Sequence, residues 1–284
     1  MPVRHTAVAF IGLGSHTAAP LLYSYIAEHP NVCLPGETTQ FFSSAKVFAQ
    51  GVDWFESQFG NCPPSSLRGE LAHTYLANSQ AASLIARTYP NARLLAVIEN
   101  PLMSVRVEYV EAIRSRRISR QVTLAEFLKK NPEVLLRSRY GRQLVHYFSF
   151  YAPIDLLVLL AADIRFDLLG TVQKTYEHLG LDNKFVPLTL KHLVVVEEDD
   201  KKRPGFIKRG FRFIKSIITT QSHRLVLKLK PKKVKIETSA ELARKIELSP
   251  ELEAFLKDYF REDVAKLSSL LHRNLSVEWG FTED

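Results

Sequence analysis

The stretch Val8-Ala9-Phe10-Ile11-Gly12-Leu13-Gly14-Ser15-His16-Thr17-Ala18 decides how the chain is read. Val8 to Gly12 is a short apolar run with little alternation, the pattern of a strand buried on both faces of a parallel sheet. A tight turn follows from Gly12 to Thr17. Ala18 to His29 then predicts a helix with Leu21, Leu22, Tyr25 and Ile26 on one side. A loop joining a buried strand to a helix aims backbone N–H groups at one point, and the helix N-terminus adds partial positive charge, so it can cradle a phosphate. The loop has neither G-x-x-x-x-G-K-[ST] nor G-x-G-x-x-G, which argues against an ATP- or GTP-hydrolysing P-loop and against a dinucleotide fingerprint.

The same unit recurs along the chain. Gln80 to Thr88 predicts a helix and Arg93 to Ile98 a second apolar strand. The strand ends in Glu99-Asn100-Pro101, a turn suited to starting a helix at Leu102. Tyr140 to Tyr151 predicts a helix, Asp155 to Leu160 a third strand, and Leu168 to Leu179 a helix stopped at Gly180. Strands alternating with helices imply an α/β fold with a central parallel sheet flanked by helices. Ala240 to Leu248 and Pro250 to Leu271 predict two closing helices, the second started by Ser249. With no long Pro/Gly/Ser linker, residues 1–284 are expected to form one domain.

The order of these segments resembles the PAPS-dependent sulfotransferases, in their bacterial and heparan-type carbohydrate branch. The stretches that carry it are Phe10-Ile11-Gly12 with Leu22 to Pro30, Gln40-Phe41-Phe42-Ser43, Gly69-Glu70 with Tyr75-Leu76, and Ala92 to Leu95 leading to Asn100-Pro101 and Tyr109. Tyr140 with Gln143-Leu144, Leu156 to Leu159, Asp163, His178 to Leu181, and Leu270 to Ser276 with Trp279 complete it. The resemblance implies a P-loop-like three-layer fold and PAPS as sulfuryl donor, with the 5′-phosphosulfate held by the first strand–loop–helix and the 3′-phosphate by the second.

Carried over residue by residue, the cofactor positions are Gly12, Gly14, Ser15, His16, Thr17, Ala18, Glu99, Ser104, Val107 and Tyr140. The family's first motif reads roughly G-x-x-K-x-G-T-T. Here Ser15 stands at its Lys, Thr17 at its second Gly, and Ala18 and Ala19 at its Thr pair. Its second motif reads roughly R-N-P-x-x-R-x-x-S-x-Y. Asn100, Pro101 and Tyr109 match, while Glu99, Ser104 and Val107 replace Arg, Arg and Ser. Charge-assisted contacts are worth about 1.5–3 kcal/mol each, so losing two weakens binding by about 3–6 kcal/mol, two to four decades. Glu99 repels a phosphate unless it turns away or pairs with a cation such as Arg106.

There are two catalytic candidates. The family's base lies in K-E-x-H-F-F. Counting back from Phe41 puts Thr38 at the Glu, and allowing one inserted residue restores Glu37. His16, in the first loop, is either a base or a cation at mildly acid pH. Glu70 is expected to hydrogen-bond backbone, and no histidine has a metal-binding spacing.

The net charge is +8, and Lys201 to Lys235 alone carries thirteen Lys or Arg with no Asp or Glu, leaving −5 for the rest. Within that segment Lys208, Arg209, Arg212 and Lys215 alternate with large apolar residues. This suits an amphipathic helix on an anionic membrane, a wall of a cleft for an acidic glycan, or a helix packed with its cations outward. No nucleic-acid motif accompanies the charge. Two cysteines, Cys33 and Cys62, exclude a disulfide framework and suit a reducing, cytoplasmic setting or a single bridge. No apolar run approaches the roughly twenty residues of a membrane span.

Two functions fit these observations. One is a sulfotransferase acting on a hydroxyl or amine of a glycan or small metabolite. The other is a catalytically inactive pseudoenzyme that uses the same fold to bind an acidic partner or a membrane surface.

Overall fold

The computed structural model describes residues 8–14, 19–190 and 238–282. The chain divides into two compact units, Met1–Pro187 with Thr238–Asp284, and Leu188–Glu237; the first carries the sheet. Ser15, His16, Thr17, Ala18 and the basic segment 201–235 lie outside the described residues.

Five strands form one parallel sheet: β1 (Phe10–Gly14), β2 (Val32–Cys33), β3 (Leu67–Ala72), β4 (Arg93–Ile98) and β5 (Leu156–Leu160), in the order β2-β3-β1-β4-β5. β1 is central and buried along its whole length, as its unbroken apolar run requires. It begins and ends two residues later than the expected Val8–Gly12, because its pairing continues to Gly14, opposite Val97. Gly12 is therefore inside the strand and not in the loop. A Cβ there would lie 2.5 Å from the Leu71 side chain and 2.9 Å from the Tyr23 ring, so glycine serves the packing of strand and helix. Tyr23 closes this contact by donating its hydroxyl to the Leu13 carbonyl at 2.7 Å.

The helices of this unit are α1 (Ala19–Ala27), α2 (Ala45–Phe48), α3 (Val52–Ser57), α4 (Ala81–Thr88), α5 (Pro101–Arg114), α6 (Leu124–Lys130), α7 (Glu133–Arg137), α8 (Tyr140–Phe148), α9 (Ala161–Phe166), α10 (Leu168–Leu179), α11 (Ser239–Arg244), α12 (Pro250–Leu271) and α13 (Leu275–Glu278). α1 and α10 pack together against β1, β4 and β5, while α4, α5 and α8 pack with α12 in a second group. Right-handed crossovers leaving β1 and β4 in opposite directions put these groups on opposite faces of the sheet. The expected α/β fold with a central parallel sheet between helices is thus present.

Local signals set the boundaries. Asn100 caps α5 by accepting the Leu102 N–H at 2.9 Å, with Pro101 in the first turn. Gly180 ends α10 at φ 72°, the left-handed cap conformation that glycine adopts without strain. α12 spans the expected residues from Pro250 to Leu271 behind its cap Ser249. α8 and α11 are shorter than expected, stopping at Phe148 and Arg244. The buried carboxylate of Asp263, on α12, accepts the N–H groups of Gly141 (2.8 Å) and Arg142 (2.9 Å), and so caps α8 from another helix. Asp163 accepts from Arg273, tying α9 to the turn after α12.

Cys33 and Cys62 form a disulfide. Disulfides persist in oxidising compartments, so the two cysteines no longer point to a reducing setting. Among the described residues no helix is long and apolar enough to cross a membrane.

Candidate functional site

The chain leaves β1 toward α1 on one face of the sheet and leaves β4 toward α5 on the other. Between the C-terminal ends of these adjacent strands the connections diverge, which is the topological switch point where parallel α/β sheets bind ligands. Gly14 closes β1 here, and Glu99-Asn100 follows β4. A pocket at this end is lined by Gly14, His73, Ser104, Glu108, Arg137 and Tyr140, among others.

Three of the sequence-derived cofactor positions, Gly14, Ser104 and Tyr140, therefore share one pocket. Ser104, in α5, is buried and accepts hydroxyl hydrogen bonds from Tyr140 at 2.9 Å and Ser138 at 3.1 Å. Arg137 grips Glu108 with both ends of its guanidinium, the Nε–Oε1 distance being 3.0 Å. Among the described residues, the one guanidinium on this pocket is thus already matched by a carboxylate.

The other described positions, Gly12, Val107 and Glu99, do not line this pocket. Gly12 is within β1. Val107 is buried in the hydrophobic core and offers no polar group. Glu99 is buried and does not line the pocket. Its carboxylate accepts Arg165 Nη1 at 2.8 Å, Arg165 Nη2 at 3.4 Å and the Asn100 N–H at 3.1 Å. The expected counterion, Arg106, is not the one used: it is half-buried, desolvation lowers its pKa, and its Nε has no hydrogen-bond partner. Arg165, on α9 directly after β5, reaches Glu99 because β5 is the neighbour of β4.

Glu37 is exposed and does not line the pocket. It precedes a segment fastened across the end of β3, where Thr38 Oγ1 donates to the Leu71 carbonyl at 3.2 Å. The Thr39 N–H and hydroxyl both donate to Glu70 Oε1 at 2.6 Å. Glu70 is fully buried and takes a further hydrogen bond from the Tyr75 hydroxyl. As expected it bonds backbone, but two side-chain hydroxyls join in and no cation does. Burial pushes its pKa up, and the donors from Thr39 and Tyr75 only partly offset this.

Sequence reading missed Arg137, Glu108, Ser138 and Arg165. Arg137 is separated from Glu108 by 29 residues and Arg165 from Glu99 by 66. No local pattern in the sequence pointed to either pair.

No protein-family model matches the chain. A bifunctional heparan sulfate N-deacetylase/N-sulfotransferase 1 from Caenorhabditis briggsae is 36% identical over 91 residues, 30% of this chain and 10% of that protein. The match therefore spans about a tenth of the relative's length. Among solved structures, a sulfotransferase from Alicyclobacillus acidocaldarius superposes with a TM-score of 0.68 at 19% identity, covering 96% of this chain and 99% of that one. Mouse sulfotransferase SULT7A1, complexed with PAP, gives 0.55 at 13% identity over 96% and 88% of the two chains. With its five parallel strands, its crevice between β1 and β4 and these likenesses, the chain takes its place among proteins of the sulfotransferase fold.

Proposed function

We propose that the chain transfers a sulfuryl group from PAPS to a hydroxyl or amine of a glycan or small metabolite, in a crevice of lowered nucleotide affinity. The observation that carries this reading is the meeting of Gly14, Ser104 and Tyr140 at the switch point between β1 and β4. The residues present fit an anionic nucleotide in their hydrogen-bonding groups: two hydroxyls and the Arg137 guanidinium on one pocket, with Arg165 at the end of β4. The charge they offer is close to zero, because Glu108 and Glu99 neutralise the two cations.

When bound, PAPS supplies the sulfuryl group and a bisphosphate leaving group. The chain's own residues hold and deprotonate. The backbone N–H groups of Gly14 to Thr17 would hold the 5′-phosphate end, and the hydroxyls of Ser104 and Tyr140 would orient the nucleotide. Glu37, or His16, takes the proton from the acceptor oxygen or nitrogen as its bond to sulfur forms. Glu70 is a positioning residue, since its bonds to Thr39 keep the Glu37 segment against β3.

A second reading, a catalytically silent binding protein of the same fold, is favoured by the two carboxylates that cancel the crevice cations. Thermal denaturation with the desulfated cofactor 3′,5′-ADP, together with transfer of radiolabelled sulfate from PAPS to glycan and small-molecule acceptors, separates the two. The transferase reading predicts a raised melting temperature at millimolar ligand and labelled acceptor. No shift and no transfer leaves the silent reading.

A further inference from the structure

The far end of α5 differs from the crevice in charge. α5 and α11 pack together, and their C-terminal ends border a cavity of ≈ 1080 Å³ lined by Arg114, Arg116, Arg117, Arg120 and Lys245. Val110, Ile113 and Leu242 supply apolar lining, and among the described residues no Asp or Glu contributes to the wall. Helix C-termini attract cations, but each supplies only about half a negative charge. Two such ends together offset only about one of the positive charges of Arg116, Arg117 and Arg120. Among the described residues no carboxylate pairs with Arg116, Arg117 or Arg120.

The backbone here is ordered around an arginine where glycine is usual. The Arg116 N–H bonds the Ile113 carbonyl at 3.0 Å and the Arg117 N–H bonds the Ala112 carbonyl at 2.9 Å. This is the helix-ending arrangement that puts its middle residue in the left-handed region, and Arg116 sits there at φ 58°. A side chain at that position is disfavoured relative to glycine, so it is the guanidinium, not the turn, that accounts for arginine.

We propose that this cavity binds an anionic oligosaccharide through its sulfate or carboxylate groups. The planar guanidinium matches both groups in two-point contacts. A concave wall suits a chain lying in it better than a flat membrane surface. Base stacking is not provided for: Tyr109, the aromatic residue of the lining, is 7% exposed, and its hydroxyl donates to the Val122 carbonyl at 2.6 Å. Ser104 on the crevice and Arg114 on this cavity lie ten residues apart on α5, about 15 Å along the helix, a distance that an oligomer bridges and a single sugar does not. The sugar identity of the ligand rests on the proposed glycan acceptor; the anion site does not.

The test is direct binding, without nucleotide, of a size-defined heparin hexasaccharide, its desulfated and carboxyl-reduced counterpart, a twelve-residue thymidine oligonucleotide, and vesicles containing phosphatidylserine. The parent protein is expected to bind the sulfated hexasaccharide with an affinity that falls as salt rises, and not to bind the uncharged counterpart. The combined Arg116→Ala, Arg117→Ala and Arg120→Ala variant is expected to bind on the order of 10- to 100-fold more weakly, with a shallower salt slope. Arg116→Gly alone is expected to weaken binding several-fold while melting no lower than the parent, since glycine suits the turn. Parent-like affinity in the triple variant overturns the site, including the case where Ala at Lys208, Arg209, Arg212 and Lys215 abolishes binding instead. Tighter binding of the oligonucleotide or the vesicles than of the hexasaccharide overturns the choice of ligand. Because no nucleotide is present, either result stands apart from the outcome of the 3′,5′-ADP experiment.

Discussion

The two ends of α5 carry opposite arrangements of charge. At its N-terminal end, beside the switch point, the cations have partners: Arg165 grips Glu99 and Arg137 grips Glu108. At its C-terminal end Arg116, Arg117 and Arg120 face a cavity lined by no carboxylate among the described residues. The crevice lies at the switch point between β1 and β4 with its neighbouring cations paired, whereas the described lining of the far cavity is cationic. Fold and charge are thus separable properties.

The largest effect is expected from breaking the cancellation. In Arg165→Ala the buried Glu99 carboxylate keeps only the Asn100 N–H as a partner. Removing one member of a buried pair is costly, and with Arg165 itself 36% exposed the loss is expected to be about 2–3 kcal/mol. Urea denaturation reads it as a lower midpoint at unchanged slope. An unmoved midpoint would show that Glu99 does not need its counterion, and the contrast between the two ends would lose its basis.

A smaller effect sharpens the same picture at Glu70, a buried carboxylate held by hydroxyl and amide donors without a cation. Its folded-state pKa is raised above the ordinary 4.5 because burial disfavours the charged form. The protonated form is therefore the one the fold prefers. Its contribution to stability is complete below pH 4.5 and is lost as pH rises through the raised folded value. Glu70→Gln is expected to flatten stability against pH over that window, measured by denaturation at a series of pH values. A parent curve that rises with pH in the same window, unchanged by the substitution, contradicts the assignment.

The legibility of each element in the sequence depends on the range over which its signal acts. β1, β4, β5 and α12 are legible because uniform apolar runs and a Ser-Pro start are local patterns. β3 is not, because Leu67-Arg68-Gly69-Glu70-Leu71-Ala72 places two charged residues inside a strand. Glu70 is tolerated there only through Thr39 and Tyr75, partners that no periodicity reveals. The identity of the Glu99 counterion is open in the sequence for a similar reason. Arg106 lies seven residues after Glu99, on the helix that follows it, yet strand order brings Arg165 from 66 residues onward. The cationic lining of the far cavity is equally hidden, since the 201–235 run dominates the charge pattern.

The most direct test of the cancelled-charge crevice is the affinity of 3′,5′-ADP for the parent protein and for Glu99→Gln, measured side by side by titration calorimetry. Removing the carboxylate charge leaves Arg165 available to an anion, and the variant is expected to bind the nucleotide about tenfold more tightly, one charge-assisted contact's worth. Equal affinities, or no binding by either protein at millimolar nucleotide, would contradict it.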